Sequence, residues 1–187
     1  MNKKFILIIA AFTITVPGFF LFSYWYLGIF SNFEIASTEN FQLAFYGTEH
    51  SGDYNKTGEK VVQTKRLLKA HAVECQPVLV YRDNAITTGK PYLRSWGGCI
   101  LSEKLPAYVV TDLAKNGMNR HEFSFARGYR LRTYAQTAVA LRKAWTEIAR
   151  LSEHGANLDF PLFHRVHEDG TSEFYIAVSG KGLATGK

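Results

Sequence analysis

"PLFHRVHEDGTSEFYIAV", residues 161–178, has the pattern of two short apolar runs joined by a polar turn. "FPLFHRVHEDG" and "SEFYIAVSG" read as a closing hairpin, and the second run is rich in aromatic and β-favouring residues. Alternate side chains of a strand face opposite ways. Phe174, Ile176 and Val178 therefore share one face, and Glu173, Tyr175 and Ala177 the other. The first face is apolar enough to pack under helices. The second sets a carboxylate and a phenol beside apolar neighbours, which makes it a candidate lining for a site.

An earlier stretch repeats the pattern. "CQPVLVYRD" and "SWGGCILSE", residues 75–83 and 95–103, read as a hairpin around the turn-rich "NAITTGKP". Each hairpin follows a helix and a tyrosine: Tyr54 precedes "NKTGEKVVQTKRLLKAHAV" (55–73), and Tyr134 precedes "AQTAVALRKAWTEIARLSEHG" (135–155). In the first helix Val61, Val62, Leu67 and Leu68 are expected inward. In the second, Ala138, Leu141, Ala144, Trp145, Ile148 and Leu151 form an apolar stripe that ends at Gly155. "FQLAFYGTEH" (41–50), "AYVVTDL" (107–113) and "RHEFSFARG" (120–128) read as strands. The result is an α+β domain of two strand–helix–strand–strand repeats, about 41–103 and 107–180. Neither repeat could bury its sheet alone. Antiparallel sheets with helices on one face, and a cleft between the pseudo-symmetric halves on the other, are the expected architecture.

The start of the chain is different in kind. Of its 187 residues, 5 to 30 carry no charge, and about 20 apolar residues can span a bilayer. Residues 1–30 are expected to form a transmembrane anchor, with a kink at Pro17-Gly18; a cleaved secretory signal is the rival reading. Lys3 and Lys4 precede the span, and the first lysine after it is Lys56. That asymmetry favours a cytoplasmic N-terminus and a soluble domain on the non-cytoplasmic side. Residues 31–40 read as a linker and 181–187 as a tail. The formal charge is +6, but the basic residues are scattered in the manner of solvated helix faces, so no nucleic-acid partner is expected. Cys75 and Cys99 lack zinc-site spacing; a disulfide and two buried thiols remain open.

"LVYRDNAITTGKPYLRSWGGCIL" resembles the "YYDNP…LR…G" hairpin of the GyrI-like family, the effector-binding domain of AraC-type and multidrug-sensing regulators, and "PLFHRVHEDGTSEFYIAV" resembles its closing "P.FE.Y…IEMYVAV" hairpin. The resemblance covers 41–180 and implies a domain that binds a small hydrophobic or cationic molecule between its halves. Some members of that family bind gyrase instead, and some hydrolyse strained small molecules. Here Asn84-Ala85 replaces the family's Asn-Pro, His164 its acid and Val166 its tyrosine, whereas Glu173 retains the acid of the last strand. A membrane anchor in place of a DNA-binding module argues against a transcription regulator.

The ligand-binding residues expected from these patterns are Glu173 and Tyr175 as polar contacts and Tyr81 and Trp96 as apolar walls, with His164, Phe125 and Tyr46 around them. Glu173 could equally be a surface acid paired with Arg165 or Lys181, and the aromatics could be core. No catalytic triad, metal-ligand set or cofactor motif is present, so the expected partners are a small molecule and the membrane. A membrane-tethered protein-interaction scaffold is the alternative, and a hydrolase the third reading.

Overall fold

The computed structural model describes residues 3–102 and 104–179; in its first helix, side chains are described for Thr13 and from Thr15 onward. Helix α1 covers Lys3–Tyr26. Strand β1 (Glu34–Ser51), helix α2 (Thr57–Ala70) and strands β2 (Gln76–Tyr81) and β3 (Arg94–Ile100) form one module. Strand β4 (Asn119–Tyr134), helix α4 (Thr137–Glu153) and strands β5 (Leu158–Val166) and β6 (Thr171–Val178) form another, with helix α3 (Ala107–Lys115) between them. All six strands are antiparallel to their neighbours and close a barrel in the order β1-β3-β2-β5-β6-β4. Exchanging β1 with β4, β2 with β5 and β3 with β6 reproduces the same ring, so the two modules are topologically equivalent. They meet along two seams, β1–β4 and β2–β5.

Closure changes the expected architecture. The face not covered by helices is the lumen of the barrel, and a barrel this small is filled by its own side chains. Phe41, Leu43, Phe45, Val78, Val80, Phe125, Phe163, Tyr175 and Ala177 are buried there together. The cleft between the halves is therefore occupied by aromatic rings. On the outer face, Leu79, Tyr81, Leu131, Leu162, Phe174 and Ile176 pack with Ala140, Leu141, Ala144 and Ile148 of α4. A third cluster joins Leu68 of α2 and Cys99 of β3 to Val109, Leu113 and Met118.

Four local expectations are corrected. "AYVVTDL" is helix α3: Pro106 caps it, and Val109 and Leu113, four residues apart, are both buried on its inner side. His71, just after α2, also meets Asp112 at 2.8 Å, which ties the two helices. The β-branched pair Val109-Val110 suggested a strand, and packing against Leu68 overrode that propensity. Second, β1 begins at Glu34, inside the stretch read as a linker, because Glu34–Glu39 find ladder partners at Arg127–Arg132. Third, α2 turns Thr57, Val61, Thr64 and Leu68 inward and leaves Val62 exposed. Its first turn lies directly on β3, where a Cβ on Gly97 would stand 2.5 Å from the Thr57 carbonyl oxygen, so no larger residue fits. In α4, Ala138 is exposed and Ala140 takes the inward place.

Among the described residues no helix is long and apolar enough to cross a membrane. The side chains of 3–12 and 14, on which the expected anchor partly rests, lie outside them, as does the tail at 181–187.

Cys75 and Cys99 form a disulfide between the start of β2 and the end of β3, 24 residues apart in sequence. A cross-link over a loop of that length restricts the unfolded chain by about 3 kcal/mol. Reduction, or Cys75→Ser, is expected to lower the unfolding free energy by about that amount. Urea titrations of oxidised and reduced protein test it; coincident midpoints would show that the cross-link leaves stability unchanged.

Candidate functional site

Strand β6 places Glu173, Tyr175 and Ala177 toward the lumen and Phe174 and Ile176 under the helices, as the alternation predicts. Glu173 stands at the end of the lumen where β4 finishes, opposite Arg132 on β4 and Arg165 on β5. The Tyr175 hydroxyl donates to Glu173 Oε2 at 2.8 Å, and His167 Nε2 lies 3.1 Å from the same oxygen. Arg132 Nε is 3.9 Å from Oε1. Burial pushes the Glu173 carboxyl up, but the hydrogen bonds from Tyr175 and His167 and the nearby positive charge of Arg130 outweigh it, so its pKa falls below its ordinary value. Burial and the carboxylate both push the Tyr175 phenol up. At neutral pH this is a carboxylate held by a neutral phenol. With Nε2 donating to Glu173, His167 Nδ1 is left to accept from the Gln76 amide, 3.5 Å away.

Phe125 is also in the lumen, stacked on Phe41 at 4.6 Å. Trp96 is half-buried at the opposite end, between His121, Phe123 and the Arg82 guanidinium, which lies 4.4 Å from its ring. It shares the lumen with Glu173 but not the site.

Three expected residues lie elsewhere. Tyr81 is on the outer face of β2, against Tyr54 at 4.8 Å and Trp145 at 6.2 Å, and burial pushes its phenol up. His164 is on the outer face of β5, fully buried, with its ring stacked 4.0 Å from Phe174. Its Nε2 meets Ser172 Oγ at 3.1 Å, and its Nδ1 is buried with no partner among the described residues. Tyr46 packs outside the barrel beside Leu68 and Cys99. The reason is register. A hairpin closed between His167 and Thr171 pairs His164 with Phe174 and Arg165 with Glu173. Once Phe174 is assigned to the helices, His164 must follow it.

That same register identifies residues the alternation of β6 alone passed over. Phe163 and Arg165 are the lumen-facing residues of β5, and Phe41 is their counterpart on β1. The Arg165 guanidinium lies 5.2 Å from the Tyr175 ring centroid and 5.4 Å from that of Phe41.

One opening lies at the seam between the halves. A groove of ≈ 680 Å³ lies where β2 and β5 part, beyond the Val78–Arg165 rung. Val73, Pro77, Ile100, Leu101 and Val166 give it apolar walls; Glu74, Glu168, Asp169, Lys65, Lys69 and His167 give it polar ones. His167 is thus shared between this groove and Glu173.

Desolvation lowers the His164 pKa to about 3. The unfolded chain takes up a proton near pH 6.5 that the native ring refuses until about pH 3, so native stability falls as pH drops below 6.5. The contribution is about 1.4 kcal/mol per pH unit. His164→Gln is expected to flatten the decline between pH 6.5 and 5, measured by urea unfolding; parallel slopes in the two proteins would refute the buried neutral histidine.

The sequence matches no protein-family model, and no curated protein matches it. Solved structures do match in fold. An integron cassette protein from the mobile metagenome of Vibrio cholerae aligns with a TM-score of 0.52 and 10% identity, over 79% of this chain and 96% of that one. An uncharacterised conserved protein from Listeria innocua gives 0.56 and 8%, over 78% and 92%. EcmrR, solved by cryo-EM in a complex with DNA, gives 0.55 and 8%, over 96% and 69%. At these identities the likeness shows the fold alone.

Proposed function

We propose that this chain is a membrane-tethered domain that binds a small molecule at the seam between its two halves. The observation that carries this reading is the groove of ≈ 680 Å³ beside His167, since small-molecule sites run from about 300 to 1,000 Å³ and combine apolar walls with a few polar groups. The hydrophobic or cationic ligand suggested by the resemblance fits its walls: an apolar body against Pro77, Ile100 and Val166, a positive group against Glu74, Glu168 and Asp169. Hydrogen bonding from the Thr171 backbone amide keeps the Asp169 carboxyl below its usual range, so it is ionised at neutral pH. Glu173 is a poor partner for an incoming cation, because Tyr175 and His167 already donate to it and Arg132 is near.

The tether is supported by the uncharged run from 5 to 30, by the 24-residue helix α1 and by its exposed Phe19, Trp25 and Tyr26. The Cys75–Cys99 disulfide favours an oxidising compartment for the domain, the side that Lys3 and Lys4 also favour. A protein-interaction scaffold is the second reading, favoured by the lumen being filled with the chain's own rings.

Thermal unfolding of the full chain in an uncharged detergent, against lipophilic cations and neutral hydrophobes, tests the proposal. A ligand at a hundred times its Kd stabilises the folded form by about 2.7 kcal/mol. Cations are expected to raise the midpoint, Glu74→Gln with Glu168→Gln to remove that rise, and Glu173→Gln to leave it. Loss of the response in Glu173→Gln alone would move the site to the lumen. No response to any compound would leave the scaffold as the better reading.

A further inference from the structure

We infer that the end of the barrel carrying Arg130 and Arg165 binds a phosphate group, and that this phosphate is the headgroup of a membrane lipid. The site is separate from the groove, and its lipid source rests on the tethered reading above.

Three arginines face the lumen at this end: Arg130 opposite Tyr175, and Arg132 and Arg165 on either side of Glu173. Their charges are not equally answered. Arg132 has Glu173 at 3.9 Å, Glu34 across the β1–β4 ladder and the nearby Asp169. Glu173 in turn has Tyr175 and His167. The Arg130 charge lies near enough to Glu173 to lower its pKa, but the side chains of Arg130 and Arg165 make neither a hydrogen bond nor an ion pair among the described residues, and the Nε of each is buried without a partner. A guanidinium does not shed its proton to escape that cost. Arg165 is held by the rings of Phe41 and Tyr175 beneath it, so its planar fork is already set to meet an oxyanion with two parallel hydrogen bonds.

The position of this end favours a lipid as the source. The chain leaving α1 docks on it: the Gln136 amide donates to the Leu27 carbonyl at 3.3 Å, and Ser31 meets Thr133 at 3.0 Å. Gly28, at φ +73°, lies so close to the Tyr134 carbonyl that a Cβ would collide with it. Lys143 fastens the same segment through the Ile29 and Ser31 carbonyls. The Tyr134–Thr171 rung is two residues from Arg132–Glu173. The arginines therefore stand at the end from which α1 departs. With α1 in a bilayer, that end faces the headgroups.

Native mass spectrometry of the full chain, extracted from bilayers of phosphatidylcholine and phosphatidylglycerol, gives the first readout. Retention of phosphatidylglycerol over phosphatidylcholine is expected, with about a tenfold loss in Arg130→Gln/Arg165→Gln. Arg150→Gln, on α4 and paired with Glu147, should change nothing. Arg165→Lys guards against misfolding: charge kept and fork lost should weaken retention while the unfolding midpoint holds. A rise in midpoint with inorganic phosphate, without lipid retention, would keep the oxyanion site and overturn the lipid source. Failure of the chain to enter bilayers while phosphate still binds would sink the tethered reading and the lipid source that rests on it, and keep the oxyanion site. No response to phosphate or lipid, or equal retention in the double variant, would overturn the site.

Discussion

Phe41 stands at the meeting point of both halves. Its ring lies 4.6 Å from Phe125, 5.2 Å from Phe163 and 4.6 Å from Tyr175, so one side chain of β1 touches rings from β4, β5 and β6. Stacked and tilted rings at these separations attract beyond the area they bury. Together they fill the space that two open sheets would have left as a cleft. Closure of the barrel depends on that filling, because neither half has enough apolar surface on this face to pack alone.

Filling the lumen pushes its polar groups to the two ends, and the ends are chemically unlike. Where β4 begins, Arg82 covers Trp96 and pairs with Glu49, so its charge is answered within the chain. Where β4 finishes, the carboxylate of Glu173 is fully engaged while Arg130 and Arg165 are not. A ligand that supplies negative charge completes the second end; the first needs none. The groove where β2 and β5 part is a separate opening, and His167 borders both it and the carboxylate.

The closing hairpin also shows how one-residue alternation sorts chemistry. Glu173 and His164 lie near the same rungs, yet the carboxyl is held ionised by two donors and nearby positive charge, and the imidazole is held neutral by burial. Neither residue type decides its charge state. The face it occupies does.

Much of the domain was legible in the sequence because local rules govern it. The two helices, the two hairpins, the duplicated order and the split of β6 into a helix-packed face and a polar face all follow from periodicity and turn residues. So does the lumen position of Glu173, Tyr175 and Phe125. What lay beyond reach involves partners distant in the chain. Whether Cys75 meets Cys99 depends on how β2 registers on β3. Whether "AYVVTDL" is a strand or a helix depends on Leu68, about forty residues away, which offers it a surface to pack on. Tyr81 and His164 were misplaced because register across a seam, not alternation within one strand, assigns their face. The sequence alone determined which residues can share a face; the tertiary structure decided which faces meet, because that choice is made by packing between strands and helices that no local pattern records.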